Sequence, residues 1–447
     1  MIHSVDSPGC IATEEKPKQS STAVPEVAGT PAWSSDFVRR VWETYATQIG
    51  VLGLGVFINV IAARILGPAR CGQYAVAVAI GAAGVQLGNM GLHTSNTYVI
   101  AKDRQLLHLL LANSLVISAL IGVVAATVTG FLFVLRPAFA PINGTLLVIS
   151  LVWIPIGLAQ LLAQGLLVGM QEIGAFNQIE LKKKLLALCF IGCLFMWRNI
   201  TPEAVFAASL IALGISLILS VSRLWRVLPR RPTPSLSLFK CNFGMGAKAY
   251  LASFFAFLVL RLDLIMVKYM LGPEQAGYYS IAANLADCIL LLPAAVAMIL
   301  FPKLSAMSDA SQKLRFANKA AFGAGALLLL LAVIAGVLAR PVVQLLFGTA
   351  FLPAVGAFIL LLPGVLFLGI QTIIVQFLNS MGFPVSVVIA WLFICILNIG
   401  MNLWAIPTYG IRGASLVSSI CYTLMAFLVL MIIQQAKYIQ QPTSSEC

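Results

Sequence analysis

From Asp36 to about Met431 the chain is a succession of long apolar stretches, most of them near or above the roughly 20 residues that cross a bilayer as one helix. About twelve can be counted, at roughly 38–63, 72–99, 107–134, 144–169, 177–197, 203–224, 246–270, 277–301, 318–339, 352–380, 384–404 and 412–435. They are separated by charged residues, Pro and Gly, among them Gly67-Pro68, Arg340-Pro341 and Gly382 to Pro384. Hydrophobic residues make up 60% of the chain and charged ones 10%, against roughly 25% charged in a soluble domain. Water offers no fold for such a sequence. The expected fold is an all-α polytopic membrane protein with about 12 transmembrane helices.

One of the breaks occurs twice. Leu66-Gly67-Pro68, followed by Gly72 and Tyr74, returns without a gap 205 residues later as Leu271-Gly272-Pro273, Gly277 and Tyr279. In both copies an apolar segment ends, Gly-Pro turns the chain and another apolar segment begins. A fainter echo pairs Gln164 with Gln376. The two turns lie six spans apart, an even number, so the halves run parallel, related by an axis along the membrane normal. The reading divides the chain into a polar tail (1–35), a first six-helix bundle (36–225), a basic, Pro-rich linker (226–242), a second bundle (243–436) and a short tail (437–447).

The net charge of +13 would suggest nucleic acid in a soluble protein. Here the charge sits in short loops, where it sets orientation and meets anionic lipid, so no nucleic-acid partner is expected. With the N-terminus cytoplasmic, 20 of the 28 basic residues fall on the cytoplasmic side, seven outside, and Arg261 within the membrane. Both termini are therefore expected to be cytoplasmic. The polar start lacks the apolar core of a signal peptide. The nine cysteines form no CxxC and read as membrane filler or exposed thiols, with no metal or cofactor expected. No loop is long enough for a catalytic domain, and no phosphate-binding GxxxxGK[ST] loop occurs. The protein reads as a non-enzyme.

Asn59 to Gly91 with its Leu66-Gly67-Pro68 turn, and Arg261-Leu262-Asp263 followed by Leu271-Gly272-Pro273, Gly277-Tyr278-Tyr279 and Leu300-Phe301-Pro302-Lys303, resemble the polysaccharide biosynthesis (Wzx-type) flippases of the multidrug/oligosaccharidyl-lipid/polysaccharide (MOP) exporter superfamily. The resemblance runs from about Arg39 to Met431. It implies two facing six-helix bundles around a central cavity, as in multidrug (MATE) exporters. It also implies a substrate of oligosaccharide on undecaprenyl diphosphate, carried from the cytoplasmic to the periplasmic leaflet of a bacterial inner membrane by alternating access, with a polysaccharide polymerase and a chain-length regulator as partners. The alternative within the superfamily is a cation-coupled exporter of small molecules. The lipid II flippases typically carry two further helices, for which this chain has no room.

Arg261 lies ten residues before the second turn, roughly 15 Å along a helix and near the bilayer midplane. A charge there faces a cavity or a partner, so Arg261 reads either as a contact for the substrate diphosphate or as half of an ion pair. Asp287 on the next helix lies at matching depth, and Asp263 shares Arg261's helix but not its face. These two carboxylates are the candidates for an ion-responsive or charge-compensating role. The first-half counterparts, Val56, Ile58 and Ala82, are apolar, which confines the expected charge to the second bundle. Asn59, Gln86, Asn89, Asn96, Gln160, Gln164, Asn284, Gln371, Gln376 and Asn379 could line a sugar cavity or bond between helices. His93 and His108 read as interface residues, and Lys182-Lys183-Lys184 as contacts for lipid headgroups. Asn143 and Asn199 head chance glycosylation sequons. Gly67, Pro68, Gly72, Gly272, Pro273 and Gly277 read as structural.

The orientation is open to a labelling test. A cysteine placed at Thr233 should resist a membrane-impermeant thiol reagent applied to intact cells, and one at Thr349 should react. Reaction at 233 would overturn the arrangement.

Overall fold

The computed structural model describes residues 35–135, 142, 144–196, 200–307, 309–382 and 384–440; the expected tails, apart from residue 35 and residues 437–440, which are helical, and the sequon positions Asn143 and Asn199 lie outside them. The described residues are helical throughout, without strands: α1 Ser35–Asn89, α2 Leu92–Lys102, α3 Leu107–Leu135, α4 Gly144–Gly169, α5 Ile173–Met196, α6 Pro202–Trp225, α7 Leu236–Leu271, α8 Pro273–Ala306, α9 Ala310–Phe347, α10 Ala354–Asn379 and α11 Val385–Gln440. All but α2 and α5 are long and apolar enough to span a membrane. Two of those nine are double: α1, of 55 residues, bends at Gly67, and α11, of 56, bends at Gly410. α5 has the length, 24 residues, but carries Glu180 and three lysines. With the two bends counted and α5 added for its length, the described helices supply the twelve segments expected.

The repeated sequence is a repeated conformation. Gly67 has φ 70 and ψ 173, and Gly272 has φ 91 and ψ 175, a region that only glycine occupies without strain. Each glycine breaks the helical path in front of a proline, whose fixed φ begins the next helix at no cost in hydrogen bonds. Some boundaries differ from the sequence reading. The expected break at Arg340-Pro341 is absent: Pro341 lies exposed within α9, and the chain turns at Gly348 instead. Arg64 on α1 explains the extension. Its guanidinium donates to the carbonyl oxygens of Leu345 and Leu346, at 2.6 Å for Leu346, so it satisfies acceptors that the last turn of α9 leaves open. α7 likewise starts at Leu236, inside the stretch read as linker, because the Ser235 hydroxyl caps its first turn.

Helices α1–α6 pack among themselves, and so do α7–α11; between the groups, α1 and α2 pack on α7 and α8. The apolar core crosses that seam, joining Leu66, Val76 and Ala77 to Ala276, Ile281, Val343 and Phe351. At the end of the repeated turns the backbones nearly touch. A Cβ added to Gly72 would collide with the carbonyl oxygen of Pro273, and one added to Gly277 with that of Pro68. The contact is reciprocal, as a two-fold relation between the halves requires. About nineteen residues along, roughly 28 Å away, a second close approach joins the groups. A Cβ on Gly91 would lie 2.7 Å from the Gly246 carbonyl oxygen, and one on Gly246 would lie 2.5 Å from that of Gly91. This approach explains why α1 ends at Asn89 rather than running on to 99: Met90 and Gly91 take positive φ and turn the chain into α2. Polar bonds flank it. Asn113 and Ser235 exchange two bonds of 2.9 and 2.8 Å, Asn242 donates to Asn96 at 2.9 Å, and Tyr250 donates to the Leu87 carbonyl at 2.9 Å.

Replacing Gly72 or Gly277 by Val should destabilise the protein by about 1–3 kcal/mol, because backbone rather than a pliable side chain stands in the way. Gly53→Ala, where an added Cβ meets open space, should be neutral or mildly stabilising. Detergent melting curves compare the three. The double valine variant should lose less than the sum of the single losses, since both remove one contact.

Candidate functional site

Arg261 and Asp287 meet. Nη2 of Arg261 donates to Oδ2 of Asp287 at 2.7 Å, joining α7 to α8, two helices of the second group that also pack on α1. About a third of each side chain is exposed. Among the described residues the remaining guanidinium N–H groups make no hydrogen bond, and such groups can bond an oxyanion. Asp263 turns away from this pair and is 2% exposed. Its carboxylate accepts from the Tyr279 hydroxyl, from Ser418 at 3.0 Å and from the Leu264 amide at 2.7 Å, so α8 and α11 both tie into it. Between the two carboxylates lies a cavity of about 20 Å³, lined by Leu260, Asp263, Tyr279, Asp287 and Tyr422 among others, room for a single water. On α11, Asn402 donates to Asn398 at 3.1 Å, while the amide nitrogen of Asn398 and the carbonyl oxygen of Asn402 are buried without partners among the described residues.

The expected sugar-lining amides fall into four groups. Asn59 on α1 and Asn284 on α8 are half-buried and make no hydrogen bond among the described residues, so their amides are available. Gln164, Gln376 and Asn379 are engaged: Gln164 donates to Glu180, Gln376 to the Thr372 carbonyl at 3.1 Å, and Asn379 to Gln376 at 3.2 Å. Asn89 and Asn96 hold α1, α2 and α7 together. Gln160 is 2% exposed with neither amide atom bonded among the described residues. His93, expected as an interface residue, is half-buried, and its Nδ1 lies 2.9 Å from the Leu161 carbonyl of α4.

The structure gives the charged residues of α5 a setting that the sequence reading did not describe. The lysine run was expected at the headgroups. It lies nine to eleven residues inside α5, and only Lys182 is exposed; Lys183 pairs with Glu180 at 2.5 Å and Lys184 turns toward Gly55 of α1. Glu180, Lys183 and Lys184 thus bring partly buried charge into the first group of helices, away from its apolar repeat positions. The repeat arithmetic compared α1 with α7 and overlooked α5, a helix that the second-half pattern does not mirror in charge. The signal was present in the sequence as four charged residues inside a 24-residue apolar helix.

Tyr279→Phe removes one donor from the buried Asp263 carboxylate and should cost about 1–3 kcal/mol, read as a melting temperature lowered by several degrees in detergent. An unchanged temperature would show that Ser418 and the Leu264 amide suffice.

Several known proteins resemble this chain. A probable flippase, AglR, of Haloferax volcanii is 23% identical over 190 residues, which are 41% of this chain and 40% of that protein. The chain thus matches about two fifths of the length of that relative. Among solved structures, the lipid II flippase MurJ in an inward closed conformation superposes with a TM-score of 0.68 at 15% identity, covering 88% of this chain and 87% of that one. A MOP superfamily transporter from Pyrococcus furiosus gives 0.65 at 14% identity over 89% and 95%. An inward-facing multidrug MATE transporter gives 0.63 at 14% over 90% and 96%. The fold is the one these transporters share. The profile of the family described as polysaccharide biosynthesis protein matches residues 39–308, more than half of the 447, and the chain belongs to that family.

Proposed function

We propose that the protein is a flippase that carries an oligosaccharide on undecaprenyl diphosphate from the cytoplasmic to the periplasmic leaflet of a bacterial inner membrane. There the sugar serves surface polysaccharide synthesis as O-antigen, capsule or exopolysaccharide. The process is transport by alternating access between a bundle of residues 36–225 and one of 243–436, with both termini cytoplasmic. A polysaccharide polymerase and a chain-length regulator are the downstream partners. Family membership supports the substrate class, and one observation carries the site: Arg261, ten residues before the end of α7, is paired with Asp287 on two helices that pack against the other group. A diphosphate crossing the hydrocarbon centre needs a fixed cation there, and a guanidinium offers forked donors to phosphate oxygens. Asn59 and Asn284 supply amides for the sugar.

Asp263, buried and saturated by donors, is proposed as the ion-responsive group. A small-cation exporter would need an unneutralised acidic wall. Here Asp287 is paired and Asp263 is enclosed, which favours an anionic cargo.

Three variants separate binding from structure: Arg261→Ala, Arg261→Lys, and Arg261→Ala with Asp287→Ala, each measured for folded protein and for polysaccharide export in cells. Arg261→Ala alone should cost about 1–3 kcal/mol, below the loss for a fully buried pair because a third of each side chain is exposed. With a substrate role, the double variant folds but does not export and the lysine variant keeps partial export. Export restored in the double variant would remove Arg261 from the substrate site.

A further inference from the structure

Lys184 is a cation within the membrane that has no hydrogen bond and no ion pair among the described residues. Its neighbours account for each other. Glu180 accepts from Lys183 at 2.5 Å and also from Gln164 of α4. Glu180 also acts on Lys184 one turn along the helix, but one carboxylate stands against two lysines, so one positive charge is left over. Its depth can be taken from both ends. Lys184 is eleven residues beyond Ile173 at the cytoplasmic end of α5, roughly 16 Å. Gly55, which it approaches, is twelve residues before the bend at Gly67, roughly 18 Å from the outer end of its span. Together these distances match a hydrocarbon core of about 30 Å, and the ammonium sits near its middle.

Gly55 makes the room: a Cβ there would lie 3.6 Å from the lysine Nζ. The repeat places Gly55 beside Val56, the counterpart of Arg261 at an offset of 205. The first group of helices thus presents a cation at the level, and next to the position, where the second presents Arg261, although it comes from α5 instead of α1. An unpaired ammonium in hydrocarbon is costly and persists where an anion or water meets it. Arg261, by contrast, already has Asp287.

We infer that Lys184 is a second oxyanion-binding group, at the level of Arg261 but on the first group of helices, that receives a phosphate or carboxylate of the transported glycolipid. This rests on the flippase reading above. The same ammonium could meet the phosphate of a bulk anionic phospholipid, so the test must tell the two apart.

The purified full-length protein in detergent would be titrated with undecaprenyl diphosphate and, separately, with phosphatidylglycerol, comparing wild type, Lys184→Gln, Lys184→Arg and the exposed control Lys182→Gln. The expected result is that Lys184→Gln weakens diphosphate binding about tenfold or more, Lys184→Arg binds within a few-fold of wild type, and Lys182→Gln is unchanged. Melting curves without ligand check the fold. Removing an unpaired charge should leave the melting temperature equal or higher, whereas loss of a structural cation would lower it and overturn the assignment. Diphosphate binding unaffected by Lys184→Gln also overturns it, as does phosphatidylglycerol binding with equal affinity and equal sensitivity to the substitution. Absence of diphosphate binding by wild type would overturn the flippase reading itself, and the Lys184 assignment with it.

Discussion

Everything in this architecture hangs on the approach of the two repeated turns, Gly72 against Pro273 and Gly277 against Pro68. Apolar helices gain nothing in lipid merely by leaving it, so their association depends on close packing and on satisfied polar groups. Small residues at the seam allow backbone to meet backbone. The positive φ of Gly67 and Gly272 aims the helices so that the two glycines arrive opposite each other. From that point the core spreads across the seam through Val76, Ile281 and Phe351, and Arg64 fastens the end of α9 to the same region.

The second constraint is what to do with charge inside hydrocarbon, and the chain solves it in three ways. Asp263 is enclosed and given three donors. Arg261 and Asp287 are paired but left a third exposed, with donors to spare. Glu180 and Lys183 are paired within one helix, which leaves Lys184 over. The order runs from full satisfaction to none, and the groups able to act on a ligand stand at its open end. A saturated carboxylate is a poor place for cargo, and a half-open pair or a lone ammonium a good one.

Much of this was legible in the sequence. Apolar run length located the spans, because the bilayer sets one length for all of them. The Leu-Gly-Pro repeat showed the two halves, since only glycine accepts the backbone angles found at 67 and 272. The matching depths of Arg261 and Asp287 followed from helical rise alone. What could not be read was which face of a helix meets which neighbour. Lys184 on α5 looked interfacial because its contact, Gly55, lies 129 positions away on another helix. The continuation of α9 through Pro341 depended on Arg64, 281 positions from the nearer carbonyl that it caps. The turn at Met90 and Gly91 depended on Gly246. In each case a partner distant in sequence decided a local structure that the local sequence left open.

The two ends of the seam differ in kind, and that difference bears on how the bundles can part. At the repeated turns the contact is backbone against backbone over an apolar core. At the opposite end Asn113, Ser235, Asn242, Asn96 and Tyr250 hold the seam with amide and hydroxyl bonds around Gly91 and Gly246. Water entering the polar end replaces its hydrogen bonds nearly one for one, so opening there costs little net bonding. Water entering the apolar end replaces nothing, and the lost packing must be offset by something else. The cavity between Asp263 and Asp287 lies within the second group, among α7, α8, α10 and α11, and has room for a water but not for a sugar. By this chemistry the end bearing Asn113 and Ser235, next to the basic stretch before α7, is the less costly of the two to solvate.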